Sequence, residues 1–220
     1  MPAAALIRVI NPNSNEAVTS GLDAALEPLR RPGGPQISCS TLATGPFGIE
    51  TQAHIEQVSL PLARLVADDQ AAGAFVIACY ADPGLHACRE ATRKPVFGIA
   101  ECAVLTALAR GDRFGVIAIS ARSIPRHLRY MREMGLDARL AGERPLEMSV
   151  ADAASGPATL DRMVSVGRDL VTRDGADVVI MGCAGMARHR AALQAALGVP
   201  VIDPTQAAVT MAIGAVAFDG

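Results

Sequence analysis

The chain contains no tryptophan, and only 3% of its 220 residues are aromatic. Surfaces that stack single-stranded bases need rows of aromatic side chains, so that mode of nucleic-acid binding is not expected. An excess of charge is missing too. The formal net charge is −2, which supplies no field to draw in nucleic acid or an anionic membrane surface. The longest apolar-looking stretch, 207–218, falls short of the ~20 residues that span a bilayer. The first ten residues lack the basic-then-apolar pattern of a secretory leader. Cysteines number 5 and never occur as C-x-x-C. A disulfide framework or a zinc site is therefore a poor reading, and reduced thiols in a cytoplasm a better one. G-x-G-x-x-G, P-loop and H-E-x-x-H patterns are also absent, so dinucleotide, nucleoside triphosphate and zincin chemistry find no support. No metal is expected, and the expected partner is a small-molecule substrate.

What is present is a globular composition, 50% apolar and 19% charged, in a chain long enough for one large domain or two small ones. Short apolar runs rich in β-branched residues alternate with amphipathic segments. The runs are Leu6–Ile10, Gln36–Thr41, Ala74–Ala78, Pro95–Ile99, Arg113–Ile119, Asp137–Leu140, Ala176–Gly182 and Pro200–Ile202. Helical patterns lie between them, as in Asn15–Leu29, Thr51–Asp69, Ala158–Arg173 and Ala187–Leu197. This order implies βα units with parallel strands.

An internal repeat divides the eight strands four and four. GAFVIAC, ending at Cys79, matches GADVVIMGC, ending at Cys183. Pro95-Val96 matches Pro200-Val201, and the run from Ile7 matches the run from Phe114. Each pair is separated by 102–107 residues, in the same order, which argues for two copies of one half-domain. The expected architecture is α/β, with two pseudo-symmetric half-domains, each a four-stranded parallel sheet flanked by helices. Residues 1–100 form the first half and 101–203 the second. A last helix, within 204–220, returns to the first half.

In open parallel sheets, ligands bind at the carboxyl ends of the strands and favour a cleft between halves. Cys79 and Cys183 both fall just past an apolar strand. A single such cysteine is more often inert core, and that reading stands for Cys39, Cys88 and Cys102. Two at matching ends of a repeat point instead to a shared ligand approached from opposite sides. Opposed thiols suit inversion of a stereocentre, in which a proton leaves one face and returns from the other.

The carbanion needs hydrogen-bond donors. The amides of Tyr80 and Ala184 follow the cysteines directly. Gly185 lets backbone approach a ligand. Asn13 and Ser14 lie just past the first strand, with Ser120 and Ser123 in the pseudo-equivalent region. The NPNSN segment reads equally well as a turn with a helix cap. Asp82-Pro83-Gly84 reads as the cap of the helix after Cys79, and Asp203 with Gln206 as a capping box. The four histidines, His54, His86, His127 and His189, are read as solvated. Arg188, His189 and Arg190 would favour a thiolate on Cys183 if they lay close.

These residues resemble the aspartate/glutamate/hydantoin racemase superfamily, in its hydantoin and allantoin racemase branch. The resemblance runs from Asn11-Pro12-Asn13-Ser14 through Gly45-Pro46 and Ile49-Glu50. It is strongest in Cys79-Tyr80-Ala81-Asp82-Pro83-Gly84, and closes with Gly182-Cys183-Ala184-Gly185-Met186 and Gly198-Val199-Pro200-Val201-Ile202-Asp203. It implies a cofactor-independent racemase, with Cys79 and Cys183 as the acid/base pair, Asn13 in the pocket, and a homo-oligomer. Phe47 and Ile49, within the segment that carries the resemblance, join the substrate-binding candidates. The Asp-Ser-Gly loop of the amino-acid racemases is missing, which favours a neutral cyclic amide. Ala118-Ile119-Ser120 stands where hydantoin racemases commonly have a Thr-Thr pair. Related scaffolds decarboxylate arylmalonates or isomerise maleate; retention of both cysteines favours racemisation.

Overall fold

The computed structural model describes residues 5–155 and 158–218. Its first half runs β1 (Leu6–Asn11), α1 (Glu16–Leu26), β2 (Gln36–Thr41), α2 (Gln52–Asp68), β3 (Ala74–Ile77), α3 (Leu85–Ala91), β4 (Val96–Gly98). The chain crosses over in α4 (Ile99–Leu108). It continues through β5 (Phe114–Ala118), α5 (Ile124–Glu133), β6 (Leu140–Pro145), α6 (Val150–Ser155), α7 (Thr159–Thr172), β7 (Val178–Met181), α8 (Arg190–Leu197), β8 (Val201–Ile202) and α9 (Pro204–Phe218). All strand pairs are parallel. The sheet orders are β2-β1-β3-β4 and β6-β5-β7-β8, so each half places its strands second-first-third-fourth.

The inner strands β3, β5 and β7 are continuous buried runs because helices cover both faces of each sheet. Alternation still sorts the side chains. Ile7, Val9, Ala74 and Val76 face a core shared by both halves. Ile10, Phe75 and Ile77 face a second core beneath α2, where Val58, Leu62 and Val66 recur at four-residue spacing on one helical stripe. Fully burying each Ile or Leu contributes about 1.5–3 kcal/mol. Helix α4 is largely apolar, with Ile99, Ala100, Cys102, Ala103, Val104 and Ala107 buried. It packs on α9 and on β5, β7 and β8, which leaves only the side carrying Glu101 and Leu105 open to solvent. Helix α9 packs against β1, β3, β4 and α1 of the first half; residues 219–220, counted with this helix from sequence, lie outside the described residues.

Local readings needed correction at three places. The Asp137–Leu140 run is a 3-10 turn over Asp137–Arg139, and the strand follows at Leu140–Pro145. This is an edge strand of half-buried residues, LAGERP, with no apolar signature. The Asp82 side chain does not cap α3, whose N-cap is Gly84 at φ +66°. Its carboxylate accepts from the N–H groups of Ala100 and Glu101, both at 2.9 Å, and so caps α4. Gly98 permits that approach, since a Cβ there would sit 2.3 Å from the carboxylate. Finally, Asp203 does cap α9, accepting from Gln206 N at 2.7 Å. Gln206 gives nothing back to the cap: its Nε2 donates to Ala25 O of α1 at 2.8 Å and ties the last helix to the first half.

Candidate active site

The strand ends of the two sheets face one cavity of about 470 Å3, within the range of small-molecule sites. Cys79 follows β3 and Cys183 follows β7, and both line it. Gly185 N–H donates to Cys183 Sγ at 3.4 Å, and Ala81 N–H donates to the Cys79 sulfur. Cys79 is half-buried and Cys183 is 8% exposed. Burial pushes the Cys79 thiol up to about 12, opposed by the Ala81 N–H; negative charge on Cys183 or Asp82 would raise it further, and the Arg126 cation lowers it. Burial pushes Cys183 up to about 11, opposed by Gly185 N–H and aided by Asp203 and Glu50. The cation facing a thiol is thus Arg126 beside Cys79. The Arg188–Arg190 segment is not among the charges that act on Cys183.

Asparagines build the neighbouring wall. Asn11, at the end of β1, donates from Nδ2 to Asn13 Oδ1 (3.0 Å) and Thr19 Oγ1 (3.0 Å). Asn13 Oδ1 also accepts from Asn15 N at 3.0 Å, and Asn15 caps α1 through Ala17 N. With its oxygen held twice, Asn13 has an Nδ2 amide with no partner among the described residues, on a side chain that lines the cavity. NPNSN is therefore a cap and a cavity wall at once. Ser14 lies outside the cavity lining; its N–H donates to Pro46 O at 3.0 Å and holds the 45–46 turn, where Gly45 is so close to Pro12 O that a Cβ would approach to 2.2 Å.

Ile49, Tyr80, Ser120, Ala184 and Gly185 all line the cavity. Phe47 is 64% exposed and sits on an adjoining hollow with Val18 and Gly185. At the position of the missing Thr-Thr pair, Ile119 and Ser120 face the cavity, while Ala118 is fully buried. Cys88 and Cys102 are core, and Cys39 is half-buried away from the cavity.

The second half closes the site over the 49–52 segment. Arg126 Nη2 donates to Glu50 O at 3.0 Å, Arg129 Nη2 to Gln52 Oε1 at 2.8 Å, and Val150 N to Glu50 Oε1 at 3.4 Å. Sequence reasoning missed these arginines, and it misplaced one histidine. His127 is 7% exposed, hydrogen-bonds Glu143 through Nδ1 and lines the cavity. It lies four residues from Met131 on α5, on one helical face, and both are buried. Behind Cys79, buried Asp82 is pushed up to about 7 by burial, against its two backbone donors and the Tyr130 hydroxyl at 3.2 Å. Among the described residues, no three His, Cys, Asp or Glu side chains could hold a metal ion, and no helix is long and apolar enough to cross a membrane.

The Asp/Glu/hydantoin racemase family model matches residues 7–212. The chain belongs to that family. It is 37% identical over 210 residues to a hydantoin racemase of Pseudomonas sp. (strain NS671), covering 94% of this chain and 84% of that one. A hydantoin racemase of Rhizobium meliloti is 36% identical over 211 residues, covering 94% and 86%. Among solved structures, an allantoin racemase from Klebsiella pneumoniae superposes with a TM-score of 0.93 at 28% identity, covering 98% of this chain and 89% of that one. The match to this racemase family extends through both sheets and both cysteine turns.

Proposed function

We propose that the cleft racemises a small cyclic amide of the 5-substituted hydantoin or allantoin kind, without a cofactor. The observation that carries this reading is the placement of one cysteine from each half on one cavity, each with its own backbone N–H donor. The names of the relatives, hydantoin and allantoin racemase, support the same substrate class. In the forward step a thiolate takes the proton from the carbon beside the carbonyl, and the C–H electron pair moves to the oxygen as an enolate. The opposite thiol then gives its proton to the other face, so the two cysteines end with exchanged roles. Asn13 Nδ2 is the side-chain donor best placed for the enolate oxygen. Substrate contacts are assigned to Ile49, Tyr80, Ser120, Ala184 and Gly185, with Ser14 and Phe47 acting at the margin. Residues 1–100 with the last helix, and residues 101–203, are the two working halves.

A second reading is an acid substrate, either an amino acid or a dicarboxylate that is isomerised or decarboxylated. Arg122 and Arg126 in the cavity wall favour it. Glu50, Glu147 and Asp152 line the same wall, and that balance favours a neutral ligand. The five free thiols support a reducing cytoplasm, and the family resemblance supports a homo-oligomer, which light scattering after size exclusion would measure.

The deciding test incubates reduced protein in heavy water with single enantiomers of hydantoins and allantoin. Loss of the α-proton signal together with loss of optical rotation is the expected result. Folded protein with free thiols that exchanges none of them would move the assignment to the acid substrates.

A further inference from the structure

His127 and Glu143 form a buried pair that the two-cysteine chemistry does not use. Glu143 lies on edge strand β6 with its side chain only 1% exposed. One carboxylate oxygen binds His127 Nδ1; the other is buried without a partner among the described residues. The His127 ring stands edge-on to Tyr80, with centroids 5.2 Å apart at 80°. Tyr80 follows Cys79 directly, so the ring is fixed from two sides beside one of the reacting turns.

An ionised Glu143 can only accept, so it takes the Nδ1 proton in a hydrogen bond, and when the ring is neutral its lone pair falls on Nε2. Nε2 has no partner among the described residues, and it is not among the buried polar atoms left without one. The ring lines the cavity; in its neutral form the free nitrogen is an acceptor that a ligand in the cavity can meet. The donors identified in the same cavity differ in kind. Among the described residues Asn13 offers an unpartnered Nδ2 amide, and Arg126 an Nε–H that is buried with no acceptor. Donors of this type select oxygen, and a fixed acceptor selects N–H.

We propose that His127, oriented by Glu143, accepts a hydrogen bond from a ring N–H of the substrate and thereby restricts the site to cyclic amides with an unsubstituted nitrogen. His127 is the substrate-contacting group and Glu143 a positioning residue. The assignment rests on the racemase reading above, and deepens it by naming the part of the substrate that is recognised.

The test compares a parent hydantoin with its two singly N-methylated forms, using wild type, His127→Asn, His127→Gln and Glu143→Gln. Asparagine keeps an amide near the Nδ1 position and loses the distal acceptor; glutamine puts an amide oxygen near the Nε2 position. Wild type should prefer the parent over one of the methylated forms. His127→Asn should lower kcat/KM for the parent about 10-fold, the size of one lost hydrogen bond, with little change for that methylated form. His127→Gln should recover part of the loss. Glu143→Gln should raise KM for the parent more than it lowers kcat. Thermal unfolding of each variant separates misfolding from lost recognition, and the wild-type comparison of substrates needs no variant at all. Wild type that racemises all three forms equally, or a His127→Asn variant equally impaired on all, would overturn the assignment. Wild type that exchanges the α-proton of none of them would overturn the racemase reading instead.

Discussion

The Gly185 N–H points at Cys183 Sγ across 3.4 Å, and the Ala81 N–H lowers the Cys79 thiol in the same way. Each thiol thus has a fixed donor two residues on, in the turn that leaves its strand. A donor so placed stabilises the thiolate over the thiol. Burial acts the other way and wins, since both groups lie above the ordinary range of a free cysteine.

Activity should therefore rise with pH. With Cys79 at about 12 and Cys183 at about 11, thiolate is a small fraction at neutral pH. The rate of inactivation by iodoacetamide should climb roughly tenfold per pH unit between pH 7 and 9, because the thiolate is the reacting form. The curve belongs to the coupled pair, since charge on either thiol opposes ionisation of the other. A plateau before pH 8.5 would contradict the burial argument.

Cys79→Ser and Cys183→Ser should each cost about 10²–10⁴-fold in racemisation, the range of a lost acid/base group. Each variant should retain exchange at one face, seen by NMR as deuterium uptake by one enantiomer only. Both variants racemising at the wild-type rate would end the two-base mechanism.

Asp82 should make stability depend on pH. Its folded value is about 7, above the ordinary 3.8, because burial disfavours the charge. Between these values the folded protein binds more protons than the unfolded chain, so stability falls as pH rises. The contribution is complete below about pH 4 and is lost as pH climbs through about 7. Urea unfolding at pH 5 and pH 8 should show a smaller difference in Asp82→Asn than in wild type. An unchanged difference would show that Asp82 titrates as it does in the unfolded chain.

Gly98→Ala should be destabilising by about 1–3 kcal/mol, the usual cost of overpacking, because the added Cβ meets the Asp82 carboxylate at 2.3 Å. The displaced carboxylate also loosens the cap of α4 and the turn that carries Cys79, so proton exchange should fall along with the urea midpoint. Wild-type stability in this variant would mean that the cap can move aside without loss.

The apolar runs and the repeat made both sheets legible, because a parallel strand covered on two faces must be apolar along its length. Edge strand β6 was not legible, since polar residues such as Glu143 and Arg144 break any apolar pattern. Helix α6 was also missed; six residues are too few for its spacing to show a pattern. The cysteine turns were found because chemistry and repetition coincide at Cys79 and Cys183. His127 was not, because a lone histidine on a helix of charged residues looks solvated until its partner on a distant strand is known.

By itself the sequence determined two βα halves, a thiol at the matching strand end of each, and a cap at Asp203. These depend on short-range pattern: alternation, helical spacing and turn residues within a few positions. Tertiary structure alone decided that Asp82 caps α4 rather than α3, that Arg126 reaches Glu50 in the other half, and that Glu143 holds His127. Each of these joins residues 16–76 positions apart, and such pairings are selected by which faces the packed sheets bring together, a choice that no local stretch of the chain encodes.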